Sequence, residues 1–243
     1  MTDFDSLDGA LLIDKPAGPT SHDVVDIIRR NFGIKKVGHC GTLDPAATGL
    51  LIIVLGKATK LSEKLMADDK VYEGSMKFGV TTSSYDADGD ITATNSVPPL
   101  TVEQLNESAK TFVGDHLQTP PMVSAVKIDG VPLYKMARKG VEVERKPRLI
   151  HIYTYKFTSY TEPIGVFRVA CTKGTYVRSL AHDLGQKIGC GAHLATLRRL
   201  VSGKFDVADA APMEDVCNMP KSELEKRVIP FLKLLAMANA PGE

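Results

Sequence analysis

The residue best placed for chemistry in this 243-residue sequence is an aspartate in a glycine-rich loop. Asp44 stands in Gly38-His39-Cys40-Gly41-Thr42-Leu43-Asp44-Pro45. Two glycines let a ligand come close to the backbone, and Pro45 stiffens the chain beyond the acid. A carboxylate on a loop held by a scaffold is suited to catalysis, although the same string also reads as an ordinary Asp-Pro turn. Arg178 follows Gly174-Thr175-Tyr176-Val177 at a strand-to-helix junction. Were it to reach Asp44, it would lower that acid's pKa by about one to three units and keep it ionised as a nucleophile; taken alone it is a surface arginine. Tyr72 lies on a strand face that is otherwise apolar, which suits a core tyrosine as well as a site residue. His39 reads either as a hydrogen-bonded loop histidine or as a flat group able to stack on a base.

Other chemistries find no support. No second acid lies within a few residues of Asp44, so neither a paired-carboxylate glycosidase nor a metal cluster is signalled. The turn from Asp86 to Asp90 lacks the distal Glu of a calcium loop, and Cys190-Gly191-Ala192-His193 has no partner ligands. Phosphate loops, dinucleotide fingerprints, nucleophile elbows and metalloprotease helices are all unmatched.

The elements that must carry these residues follow from periodicity. Residues 9–14 read as a short buried strand. A helix starts with Ser21 as N-cap, runs along Val24, Val25, Ile28 and Phe32, and stops at Gly33. The apolar run at 50–55 suits a central strand covered on both sides. Over 72–80, Tyr72, Gly74, Met76, Phe78 and Val80 alternate with residues of the opposite face, which predicts a half-buried strand. Thr101 and Gln104 form a capping box for a helix through Leu105, Ala109, Phe112 and Val113. Residues 120–149 are loop-rich and basic; strands are expected at 150–157 and 165–172. A turn at Lys173-Gly174-Thr175 then leads into a helix bearing Val177, Leu180, Ala181 and Leu184. The fold class is therefore α+β: a mixed, mainly antiparallel central sheet flanked by helices and loops.

Composition sets the setting. The longest purely apolar run has six residues, whereas a spanning helix needs about twenty, so no membrane segment is expected. Asp3, Asp5 and Asp8 precede any basic residue, so neither a signal peptide nor a transit peptide is expected. Four scattered cysteines without a C-x-x-C pair point to reduced thiols in a cytoplasm. The net charge of +1 conceals a polarised chain, because residues 127–204 hold 15 Lys and Arg against 5 Asp and Glu. Such a stretch is either a solvated surface or a face for a polyanion.

Five strings, LLIDKPAGPTSHDVV, GHCGTLDPAATGLL, KVYEGSMKFG, CTKGTYVRSLAHDLG and CGAHLATLRRL, occur in this order. Together they resemble the bacterial tRNA pseudouridine-55 synthases, the TruB family, from about Gly9 to Lys204. The resemblance implies an isomerase that converts uridine to pseudouridine in the T arm of tRNA, needing neither cofactor nor metal. It implies Asp44 as the catalytic aspartate, Tyr72 as the active-site tyrosine and Arg178 as the arginine paired with the aspartate. Substrate-binding roles carry over to Lys15, His39, Asp86, Lys127, Tyr176 and Leu197, with His39 filling the space left by an extruded base. The expected organisation is a catalytic domain over 1–204 with a thumb at about 120–149 that closes on the stem-loop. A short extension over 205–243 would contain a helix at 228–237 and no full C-terminal RNA-binding barrel. The implied partner is tRNA, with no membrane and no obligatory protein partner, for a cytoplasmic monomer.

The sequence departs from the family pattern at Cys40, where Thr is usual, and at Thr82-Ser83-Ser84-Tyr85-Asp86, where T-D-T-x-D is usual. Three other functions fit some of the same features. A non-catalytic tRNA-binding or folding protein would use the basic stretch, a synthase could act on another RNA, and a hydrolase using Asp44 would release free uracil.

Overall fold

The computed structural model describes residues 7–124, 127, 128, 130–133, 136, 140, 141 and 143–239. In chain order the strands are β1 (Gly9–Lys15), β2 (Val37–Cys40), β3 (Thr48–Leu55), β4 (Lys70–Phe78), β5 (Val80–Thr82) and β6 (Ile91–Thr94). They continue as β7 (Gly114–Gln118), β8 (Lys127–Ile128), β9 (Val131–Pro132), β10 (Arg148–Thr161), β11 (Ile164–Cys171) and β12 (Ala192–Ser202). The chain forms two units, one from Met1–Val71 with Arg198–Glu243 and the other from Tyr72–Leu197.

The first unit is built around β3, buried from Gly49 to Leu55. Its apolar run is unbroken because the strand has protein on both faces. β1 pairs antiparallel along the whole of it, from Gly9 opposite Leu55 to Lys15 opposite Gly49. β2 pairs antiparallel with its second half, and Arg198 and Arg199 of β12 run parallel beside Thr48 and Gly49. A Cβ on Gly49 would lie 2.3 Å from the Arg199 carbonyl oxygen, so only glycine permits this approach. The Ala211–Pro212 strand adds a parallel neighbour to β1, which makes the sheet mixed. Helix Ser21–Phe32 buries Val24, Val25, Ile28 and Phe32 and ends at left-handed Gly33, as the sequence predicts. Its N-cap is Thr20 rather than Ser21: Thr20 and Asp23 form a capping box, which frees the Ser21 hydroxyl for another contact.

In the second unit β4 alternates buried and outward residues, burying Tyr72, Gly74, Met76 and Phe78. β10 pairs antiparallel with β11 and with β7. Its inner face supplies Tyr155 and Phe157, which pack with Phe78 and Phe167 at ring-centroid distances of 5.6–6.3 Å. Such offset and edge-on pairs add specific geometry to apolar burial. Helix Val102–Lys110 begins with the expected Thr101–Gln104 capping box. It stops at Thr111, short of the predicted end: Phe112 is buried in the following turn while Val113 is exposed as the chain enters β7. Helix Val177–Ile188 follows the Gly174 turn and buries Val177, Leu180, Ala181 and Leu184. Both units carry helices on sheets, so the α+β reading holds.

Two further expectations change in detail. The terminal helix begins at Phe231 and ends at Asn239, because Ile229–Pro230 first pairs with the start of β1. Of the basic segment at 120–149, β8 and β9 form a short hairpin; the Lys127 side chain and residues 125, 126, 129, 134, 135, 137–139 and 142 lie outside the described residues, as do residues 1–6. Among the described residues no helix is long and apolar enough to cross a membrane.

Candidate active site

In the first unit the loop bearing Asp44 is fixed from both sides. Leu43 is buried, and its N–H donates to Ser21 Oγ at 2.9 Å while its carbonyl accepts from the same hydroxyl at 3.2 Å. Pro45 offers a carbonyl to Lys15 Nζ at 3.0 Å and to the Gly18 N–H at 2.9 Å. The Ala47 N–H then closes a turn on the Asp44 carbonyl at 3.1 Å. Half-buried Asp44 thus sits between two anchored neighbours, its backbone set before any ligand arrives.

Lys15 is fully buried, and its ammonium also donates to the carbonyls of Pro16 and Pro19, both at 2.8 Å. Its three N–H groups therefore meet three carbonyls. Burial pulls its pKa down to about 8, against the attraction of the Asp44 and Asp23 carboxylates. Its observed contacts hold the loop together.

Arg199, which the sequence reading passed over, closes the same loop from beneath. It is 1% exposed, with Nε donating to Leu50 O at 2.7 Å and an Nη group donating to Gly41 O at 3.0 Å. The planar guanidinium can satisfy two carbonyls on different segments at once. A neighbouring Arg198 makes a bidentate pair with Asp14, at 2.9 and 2.6 Å. The LRRL string carried this signal only as two adjacent cations, one of which proves to be internal.

His39 lies on β2, opposite Ile53, rather than in a loop. Its Nδ1 is buried and has no hydrogen-bond partner among the described residues. Burial, reinforced by the charges of Arg199 and His22, holds the imidazole pKa below its ordinary value and so favours the uncharged ring.

In the second unit Arg178 is 4% exposed in the first turn of helix Val177–Ile188. Its guanidinium lies 3.3 Å from the Asp86 carboxylate and donates to Ser84 O at 3.2 Å and Val123 O at 2.7 Å. It is an internal residue, not a surface one. Asp86 also accepts from the Ser84 hydroxyl and from the Asp88 N–H, and its carbonyl accepts from Thr82 Oγ1 at 2.6 Å. The acidic turn is thus folded around an ion pair. Tyr176 caps the helix with its backbone clasped by buried Gln118, whose Oε1 accepts from Tyr176 N at 2.7 Å and whose Nε2 donates to Tyr176 O at 3.1 Å. Gln118 is a second residue that the sequence reading missed. Tyr72 is buried on β4, and Leu197 is half-buried on β12. His193 Nδ1 donates to Val80 O at 2.8 Å, which ties it to β5.

Comparison with known proteins gives a consistent picture. Residues 29–177 match the model of the TruB family pseudouridylate synthase N-terminal domain, and residues 178–236 match that of the tRNA pseudouridylate synthase B C-terminal domain. The tRNA pseudouridine synthase B of Opitutus terrae is 54% identical over 92% of this chain and 93% of its own length. That of Endomicrobium trichonymphae is 45% identical over 94% of this chain and 98% of its own. Among solved structures, a chain of a Cbf5-Nop10-Gar1 complex superposes with a TM-score of 0.74 at 28% identity, covering 94% of this chain; this chain spans 62% of that one. On two matching family models and close relatives along nearly its full length, the chain belongs to the TruB family of pseudouridylate synthases.

Proposed function

We propose that this protein converts uridine 55 in the T-arm loop of tRNA to pseudouridine, with Asp44 as the catalytic residue. The observation that carries the reading is the loop of Asp44, anchored through Leu43 by Ser21, through Pro45 by Lys15 and through Gly41 by Arg199. A carboxylate already in position avoids the ordering cost that a mobile one would incur at the moment of reaction. The C1′–N1 bond breaks, the uracil turns, and a C1′–C5 bond forms. The proton leaving C5 is balanced by one gained at N1, so no redox partner or cofactor is required.

Tyr72 is assigned to stack on the uracil and take the C5 proton, and Arg178 to pair with the Asp44 carboxylate. A base inside a folded loop has to be extruded to be reached, at a cost of a few kcal/mol. His39, a flat ring, is assigned to the vacated space and Asp86, Lys127, Tyr176 and Leu197 to the substrate site, which Lys15 serves from beneath by holding the Asp44 loop. The cationic stretch over 127–204 would hold phosphates of an RNA recognised by backbone and splayed bases. The reading includes a catalytic domain over 1–204 with a shorter extension, acting as a cytoplasmic monomer without an obligatory protein partner.

The test is tritium release from C5-labelled uridine in a T-arm stem-loop, followed by mapping of pseudouridine in whole tRNA. Wild-type protein should release tritium and leave an intact chain modified at position 55, and Asp44→Asn should bind the RNA without product. Free uracil would favour a hydrolase. Modification confined to another RNA would move the substrate, and accelerated tRNA folding by Asp44→Asn with no modification by wild type would favour a folding protein.

A further inference from the structure

Two residues in the second unit have no part in the assignments above, yet they meet beside Arg178. Tyr85 is the non-glycine residue with a positive φ, 67°, among the described residues, a conformation that side chains with a Cβ adopt reluctantly. Its ring stacks on that of His182, with centroids 3.9 Å apart and planes inclined by 18°. The His182 Nδ1 is buried and has no hydrogen-bond partner among the described residues. The Tyr85 backbone is held at both ends: its N–H donates to Thr82 O at 3.3 Å, and its carbonyl accepts from Leu194 N at 2.9 Å.

The placement along the chain gives this stack a consequence. Tyr85 and Asp86 are consecutive in the turn, whereas Arg178 and His182 are one helical turn apart on the same helix. Residues four apart present their side chains on one face. Two adjacent turn residues therefore dock on two stacked helix residues: Asp86 on Arg178 by charge, and Tyr85 on His182 by ring contact. The Ser84 hydroxyl and the Asp88 N–H hold the Asp86 carboxylate within its own turn, and the ring contact one helical turn along fixes that turn against the helix bearing Arg178. Strained φ values persist where the surroundings over-determine them, and here the strain sits next to the arginine of the candidate site.

We infer that the Tyr85–His182 stack is a positioning device for the reaction, fixing the Asp86 turn so that Arg178 is held in one orientation. The inference rests on the assignment of Arg178 to the active site. Tyr85 and His182 are positioning residues, acting through Arg178 rather than on the RNA.

Four variants test it: Tyr85→Phe, Tyr85→Ala, Tyr85→Gly and His182→Ala, each assayed for kcat, KM and thermal midpoint. The expected result is kcat within about twofold of wild type for Tyr85→Phe, which keeps the ring. Tyr85→Ala and His182→Ala should lose about tenfold to a hundredfold in kcat, with KM changed less than about twofold. Tyr85→Gly accepts the positive φ freely but lacks the ring, so it should be as slow as Tyr85→Ala even if its thermal midpoint recovers. Wild-type kcat in Tyr85→Gly or Tyr85→Ala would overturn the inference, since the ring would then serve only the local backbone. Exchange of the Arg178 guanidinium protons with water, followed by NMR, reads the clamp without activity. It should quicken in Tyr85→Ala and His182→Ala but not in Tyr85→Phe, and equal exchange in all of them would overturn the inference. A wild-type protein with no synthase activity removes the functional reading, and the exchange rates then decide the clamp alone.

Discussion

Ser21 Oγ and the backbone of Leu43 satisfy each other twice, the hydroxyl accepting from Leu43 N at 2.9 Å and donating to Leu43 O at 3.2 Å. Both residues are buried, so no water replaces the hydroxyl when it is removed. Because the N-cap role falls to Thr20, Ser21 is free to join helix Ser21–Phe32 to the residue before Asp44.

Ser21→Ala is therefore expected to leave a buried N–H and a buried carbonyl unpaired, at a cost of about 1–3 kcal/mol in chemical denaturation. Its effect on turnover should exceed its effect on RNA binding, because the loop it releases bears Asp44. An alanine variant with unchanged stability and turnover would show that the loop is held without this link.

Lys15 gives a pH signature. Its pKa falls from 10.5 to about 8 on folding, so between those values the unfolded chain holds more protons than the native one. Stability then rises with pH across that window, by an amount on the order of 3 kcal/mol if the whole shift is realised. Urea melts from pH 7.5 to 10.5 should show wild type gaining on Lys15→Met as pH rises. Parallel pH profiles for the two proteins would mean that the buried ammonium does not titrate there. Deprotonation also removes one of three donors from the Asp44 loop, so turnover is expected to decline above pH 8 even while stability grows.

Much of this was legible in the sequence, and the failures have physical causes. β3 and β4 announced themselves because one is covered on both faces and the other on one, giving an apolar run and a clean alternation. The Thr101–Gln104 box was readable because capping is local; the early end of its helix was not, because Phe112 finds its buried place from the following turn. Among candidate site residues, type and spacing drew attention to Asp44 in its glycine loop, whereas Arg178 taken alone read as a surface arginine. Type and spacing could not reveal that Arg199 and Gln118 turn inward to clasp backbone of segments more than fifty residues away. A long polar side chain adjacent to another of its kind carries no period, and its burial is decided by tertiary partners alone. His39 was misplaced in a loop for a related reason: Gly38 and Gly41 flank it, and only pairing with β3 makes it a strand residue.

The Asp86–Arg178 pair, 17% and 5% exposed, is expected to behave as a buried ion pair. Removing one partner of a buried ion pair costs about 3–5 kcal/mol in such sites. Asp86→Ala should lower stability by an amount near that range and should also lower turnover. Asp86→Glu, which restores the charge at a longer reach, should recover stability better than turnover. Full activity in Asp86→Ala would mean that Arg178 is held in place without Asp86, the Ser84 and Val123 carbonyls being among its other contacts.

His39 separates a packing role from a stacking one. Its Nδ1 is buried and unpartnered among the described residues, so His39→Phe removes a buried polar atom and is expected to leave stability unchanged or raised. In the proposed reaction the ring occupies the place of an extruded base, where stacking contributes about 1–3 kcal/mol. His39→Phe keeps a flat ring and should retain most of the activity. His39→Ala should lose about tenfold to a hundredfold in kcat/KM on a T-arm stem-loop and far less on a substrate whose target uridine is already unstacked. Equal losses on both substrates would assign His39 to the chemistry of the flipped uridine instead of to the gap it leaves.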